Sequence, residues 1–219
     1  MSVEAQERLL NGVVLILGVS LAGAVAAQYL AQSGIGRIIL LDENPKALSQ
    51  VYRKIADSPD YNPDTELVCR ASHFNAENAE AVLSQCDVAI DGLDNWQDKL
   101  VASDTCMHIK KPLIHAGGSG FRFQLFTMYP GRSACLRCAF PQAGIDDVPL
   151  LPPDGGNIAA VIAMVGAWQA LETIKYIAKI GVSQGNELIK TDWLSGESEI
   201  IRGLDPRPDC PDCKRVTRS

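Results

Sequence analysis

VVLILGVSLAGAVAAQYLAQSGIGRIILLDEN, residues 13 to 44, is the stretch whose reading decides the fold. Val13 to Leu17 is a continuous apolar run short enough to be a strand buried on both faces. Gly18-Val19-Ser20-Leu21-Ala22-Gly23 then turns the chain into a helix of small and apolar residues, which closes at Gly34 and Gly36. Arg37 to Leu41 is a second buried strand, and Asp42 falls at its carboxyl end. Strand, glycine turn, helix, strand and acidic tip is the layout of a nucleotide-binding βαβ half. Backbone amides at the helix N-terminus face phosphates there, and the acid accepts ribose hydroxyls. Ser20 stands where the fingerprint wants its second glycine, so a Cβ and a hydroxyl crowd the approach to a pyrophosphate.

Outside this stretch, composition narrows the classes of function. With 47% hydrophobic and 21% charged residues over 219 positions, the chain reads as one substantial α/β domain, residues 1–219. A net charge of -6 argues against nucleic acid, whose phosphates call for a basic face. The longest apolar stretch, Ile158 to Leu171, is shorter than a bilayer crossing, and Met1 to Gly12 lacks an apolar signal core. The expectation is a cytoplasmic protein with no membrane partner.

Seven cysteines in such a chain point to metal or thiol chemistry before disulfides. Cys135-Leu-Arg-Cys138 and Cys210-Pro-Asp-Cys213 each have the two-residue gap that aims two thiolates at one ion. Together they read as a four-thiolate structural zinc site pinning the C-terminal region to the middle of the chain. Cys69, Cys86 and Cys106 stand singly and read as buried, inert thiols.

In order, the spacing predicts a short N-terminal helix over 2–12, helices over 46–56, 77–85 and 96–109, and a buried strand over 86–91. That strand ends in Gly92-Leu93-Asp94-Asn95, where Asp94 is either a magnesium- or phosphate-site residue or a helix N-cap. Pro112 to His115 is a further strand, which Gly117, Gly118 and Gly120 break. His115 at its end could touch substrate, though a satisfied buried histidine is the plainer reading. Phe121 to Tyr129 alternates with period two. Residues 143–157 read as a long crossover loop, and 158–180 as an apolar helix with Asn157 as N-cap and Gly181 as C-cap. Its small residues call for close packing in the core or at a dimer seam. Two late strands over 187–191 and 198–203 complete a Rossmann-like, mostly parallel sheet with an antiparallel C-terminal extension.

GVSLAGA, Asp42, SQVYRK, DGLDN, the two CxxC pairs and GAWQALETIK, in this order, resemble the motifs of the ThiF/MoeB/HesA family, the bacterial relatives of ubiquitin-activating enzymes. The resemblance runs nearly end to end. It implies an adenylyltransferase that joins a carboxylate to AMP from ATP with Mg²⁺, acting on the C-terminus of a ubiquitin-like sulfur carrier or on a small-molecule acid, in a homodimer. By position, Gly18, Ser20, Gly23, Asp42, Asn44 and Arg53 fall in the family's nucleotide site, with Arg53 the phosphate-contacting arginine. Asp94 falls at the magnesium site, and Asn95 supports the same turn.

Departures gather on the catalytic charges. The family's N-terminal arginine, which reaches into a partner's site, has no counterpart, because the chain begins at the helix after it. The lysine that the family carries after its Arg-Gln pair is also missing, since 53–87 holds no lysine beyond Lys54. Asn44 replaces an acid and Lys54 a glutamine. Lys54, beside Arg53, is the candidate substitute cation. No cysteine occurs in the crossover stretch, so the chain is not expected to carry sulfur or form a thioester. The alternative expectation is a catalytically degenerate member that binds nucleotide or a carrier protein as a scaffold, or as half of a heterodimer.

Overall fold

A computed structural model of the chain describes residues 1–143, 158–181 and 185–216. Residues 13–44 form β1 (Val13–Leu17), α2 (Leu21–Gln32) and β2 (Arg37–Asp42), with α1 (Val3–Leu10) before them. After them come α3 (Pro45–Ala56), β3 (Glu66–Ala71), α4 (Ala79–Leu83), β4 (Val88–Asp91), α5 (Trp96–His108) and β5 (Leu113–Ser119). The second half adds β6 (Arg122–Met128), α6 (Leu136–Ala139), α7 (Ala159–Ala178), β7 (Glu187–Asp192), β8 (Glu197–Arg202) and α8 (Pro211–Val216).

All eight strands form one sheet in the order β3-β2-β1-β4-β5-β6-β7-β8. The first five are parallel and the last three antiparallel, as the sequence predicts. β1 and β4 are the apolar strands at the centre, and the chain reverses direction across the sheet between them, so their carboxyl ends border a crevice. One face packs on α2 and α7, with Val161, Val165 and Ala170 against Ala26, Ala27 and Leu30. On the other, α4 and α5 cover Leu15, Leu17, Ile39 and Ala89.

Four local expectations need correction. β5 is not broken by its glycines: pairing with β6 continues to Ser119↔Arg122, and the reversal is made by Gly120 at φ +58°. α7 ends at Ala178, three residues before Gly181, because Lys179 itself takes the left-handed conformation and donates its N–H to the carbonyls of Lys175 and Tyr176. Cys69 is exposed, because β3 is an edge strand with only partial cover. Asp94 is not a helix cap; that place is taken by Asn95, whose side chain accepts from the Asp98 N–H. Cys86 and Cys106 are buried as expected, and burial pushes the Cys86 thiol up to about 12. The crossover stretch from 144 and the proposed cap Asn157 lie outside the described residues.

Candidate active site

The glycine turn lies directly over the end of β1. Gly18 sits at φ +83°, and a Cβ there would meet the Gly92 carbonyl oxygen at 2.5 Å. Gly23 is fixed by packing, since a Cβ would approach the Gly18 carbonyl oxygen to 2.2 Å. Ser20 precedes the first turn of α2, and its hydroxyl donates to the Gly92 carbonyl at 3.3 Å. The glycine turn and the Gly92–Asp94 turn are thereby locked together.

Two lobes open on either side of Gly92, Leu93 and Asp94. The outer lobe, about 180 Å³, is bordered by Gly18, Asp42, Glu43, His73, Asp94 and Asn95. Asp42 accepts the Val19 N–H on one oxygen and the Asn44 N–H on the other, both at 2.8 Å. Asn44 caps α3, its side-chain oxygen accepting from the N–H groups of Lys46 and Ala47. The Asp94 carboxyl is pushed above the ordinary carboxylate range by its partly enclosed place and by Asp42 and Asp91, with Lys99 opposing. A cation bound there would offset that crowding, which fits magnesium chemistry on a carboxylate.

The inner lobe, about 300 Å³, lies under the first turn of α2 and against the glycines at the end of β5 and the N-terminal half of α7. Among its polar groups, Asp91, Lys99 and Gln169 are buried. The Lys99 ammonium donates to Asp91 Oδ1 at 2.9 Å, and His115 Nδ1 lies 2.6 Å from Asp91 Oδ2. Gln169 Nε2 donates to the carbonyls of Asp91 and Ile114 at 2.8 and 3.0 Å. Burial raises the Asp91 carboxyl, but Lys99 and His115 outweigh it and hold the group below its ordinary range. Burial holds the His115 imidazole below its ordinary value despite Asp91. His115 lies between Trp96, stacked at 5.7 Å between ring centroids, and Phe140, edge-on at 5.3 Å. It is buried as expected but only half satisfied, because its Nε2 has no partner among the described residues.

Lys99 is not singled out in the sequence, and Asp91 and Gln169 enter only as parts of motifs. The signal that could have found them is polarity in apolar company: an aspartate ending a buried strand, and a glutamine inside an apolar helix. Gly18, Asp42 and Asp94 come together at the outer lobe, and Ser20 and Asp94 also border the inner one. Arg53 and Lys54 do not join them. Both lie in the last turn of α3 with exposed side chains and border neither lobe.

The four knuckle cysteines converge on the far side of α5. Their sulfurs all lie within 4.8 Å of one another, with Cys135 to Cys210 at 3.6 Å and Cys138 to Cys213 at 3.8 Å. Four thiolates around a tetrahedral zinc at about 2.3 Å stand about 3.8 Å apart, so the cluster fits that ion. The Arg207 N–H donates to Cys138 Sγ at 3.3 Å, and Arg137 pairs with Asp104, fixing the knuckle to α5.

A doubly wound sheet with a glycine turn at its switch point, an acid at the end of β2 and a four-cysteine clip defines an α/β protein with its crevice at the switch point. Residues 53–212 match the ThiF family, more than half of the chain, and the chain belongs to that family. The adenylyltransferase and sulfurtransferase MOCS3 of Drosophila yakuba is 32% identical over 227 aligned residues, covering 96% of this chain and 50% of its own length. The MOCS3 of Anopheles gambiae is 33% identical over 229, covering 96% and 51%. The chain thus spans about half the length of the curated relatives it matches. E. coli MccB, solved with MccA-N7isoASN, shares the fold at a TM-score of 0.83 and 20% identity, over 96% of this chain and 69% of that one. PaaA does so at 0.70 and 15%, over 91% and 66%. No helix among the described residues is long and apolar enough to cross a membrane.

Proposed function

We propose that the chain is one E1-like adenylation domain that activates a carboxylate with ATP and Mg²⁺. The single observation that carries this reading is the pair of lobes meeting at Asp94: a nucleotide-side lobe with Asp42, and an inner lobe for the acyl group. A carboxylate oxygen attacks the α-phosphorus, the bond from that phosphorus to the bridging oxygen breaks, and pyrophosphate leaves with the electron pair. No proton has to move, so the protein's work is alignment and charge. Asp42 takes the ribose hydroxyls, the amides around Gly18 and Ser20 face the phosphates, and Asp94 holds magnesium. Arg53 and Lys54 are the phosphate contacts made when nucleotide is present, and unchanged turnover in Lys54→Ala would remove Lys54 from that role.

Two substrate classes remain within this reading. MccB has been solved with the peptide MccA, and MOCS3 is named an adenylyltransferase and sulfurtransferase. Both names support a peptide or carrier C-terminus over a small acid for this chain. The zinc role is structural, and a homodimer is supported by Met164 and Leu171, large apolar side chains 42% and 53% exposed on α7.

One observation favours a second reading, a degenerate scaffold or heterodimer half: Arg53 and Lys54 border neither lobe. Calorimetry with ATP and Mg²⁺ on the wild type, Asp42→Ala and Asp94→Ala tests the nucleotide site. Binding that both substitutions abolish supports it, and no detectable binding contradicts the enzyme reading.

A further inference from the structure

Lys99 is a buried cation with a donor to spare. Its side chain is 3% exposed, yet it borders the inner lobe. Of the three N–H donors of an ammonium, one is on Asp91 Oδ1 at 2.9 Å and a second on the Ala116 carbonyl at 3.4 Å. The third has no acceptor among the described residues. The group that aims this ammonium is itself clamped. The second oxygen of Asp91 is held by His115, and its backbone carbonyl by Gln169. His115 cannot swing, being packed between Trp96 and Phe140.

Gln169 supplies the complementary group. Both of its identified hydrogen bonds run from Nε2 to carbonyls, which fixes the amide orientation and leaves Oε1 buried without a partner among the described residues. Lys99 holds the Asp91 side chain and Gln169 the Asp91 carbonyl, and both line the same lobe. A free donor beside a free acceptor matches the end of a peptide, whose carboxylate accepts and whose last amide N–H donates. Gly117 keeps the passage wide: a Cβ there would find no atom nearer than 4.0 Å, so its missing side chain leaves space in the lobe.

We propose that Lys99 binds the substrate carboxylate, that Gln169 Oε1 takes the last amide N–H, and that Asp91 and His115 are positioning residues that aim the ammonium. Placing this contact on the path to an adenylate rests on the function proposed above; the binding itself does not. In that reaction Lys99 keeps all three protons. It holds one carboxylate oxygen by hydrogen bond while the other attacks phosphorus.

The test is fluorescence anisotropy with a labelled synthetic peptide ending in Gly-Gly, compared with the same peptide as its C-terminal amide. Wild type is expected to prefer the acid by about tenfold, the worth of one charge-assisted hydrogen bond. The double variant Lys99→Met with Asp91→Asn removes both charges, so it leaves no buried ion unpaired, and is expected to bind acid and amide alike. His115→Leu is expected to erode the preference, and His115→Asn, which keeps a donor toward Asp91, to restore it. Erosion and rescue read out aim, since a purely structural defect would weaken acid and amide together. Thermal melts on the same preparations confirm that each variant is folded. A wild type that does not discriminate, or a double variant that retains the wild-type ratio, overturns the proposal. Acid preference lost with Lys99 but with no ATP turnover would sink the adenylation reading and leave this one standing.

Discussion

The two lobes of the cavity share the Gly92–Asp94 turn and are built from opposite materials. The outer lobe is made of loops: its acid is held by backbone amides, its rim is exposed, and no lysine or arginine borders it among the described residues. The inner lobe is made of secondary structure: a buried ion pair, a buried imidazole and a buried amide, each anchored to a strand or helix. An outer site of this kind depends on a cation arriving with its ligand, whereas the inner site carries its own. On the proposed function, the inner half is preformed and the outer half is completed by nucleotide and magnesium.

The contrast can be broken first at Lys99. Lys99→Met alone leaves the Asp91 carboxylate buried with only His115 and the Leu93 N–H as partners, a loss of about 3–5 kcal/mol in urea unfolding. Arg53→Ala, at an exposed position, should leave the unfolding midpoint where it is. Equal effects from the two would mean that Lys99 is not a structural part of the inner lobe.

Acid should also distinguish the lobes. His115 and Asp91 both titrate below their ordinary values in the fold, so the unfolded chain binds protons first and stability falls with falling pH. The His115 contribution is complete above its unfolded value of about 6.5 and is lost as pH drops through the lowered folded value. The Asp91 contribution is lost below about 3.9 in the same way. His115→Asn should flatten the upper part of this slope in melts taken across the range, and an unchanged slope would contradict the assignment.

At the outer lobe, Asp42→Ala strips the acceptor from two backbone amides and should cost about 1–3 kcal/mol together with nucleotide affinity. The smallest effect belongs to Asp94→Asn. Its carboxyl is raised by enclosure and by Asp42 and Asp91, so neutralising it should slightly raise Tm without metal, while ending any magnesium dependence of nucleotide binding. A fall in Tm would show that Asp94 is already stabilised without a cation.

Legibility in the sequence follows the same division. The individual strands, the glycine turn, Asp42 and the two knuckles could be read because each lies in a short window whose spacing has a local cause: a turn, a strand end, or two sulfurs on one knuckle. The inner lobe could not. Asp91 and His115 are 24 positions apart and meet only because β4 and β5 are paired with those two residues in register. Gln169 reaches the same point from a helix 78 residues further on. Lys99 read as one polar residue on a helix, because nothing local distinguishes a buried lysine from a solvated one. Cys69 failed for the opposite reason: an apolar neighbourhood in sequence does not reveal an edge strand.

The central claim, that these lobes join a carboxylate to AMP, is tested most directly by exchange of labelled pyrophosphate into ATP in the presence of Mg²⁺ and the Gly-Gly peptide. Label is expected to accumulate in ATP with the free acid and not with the C-terminal amide, and omitting magnesium is expected to stop it. A chain that binds ATP and the peptide acid yet exchanges no label would contradict it, and would make the protein a binding scaffold built on an adenylation fold.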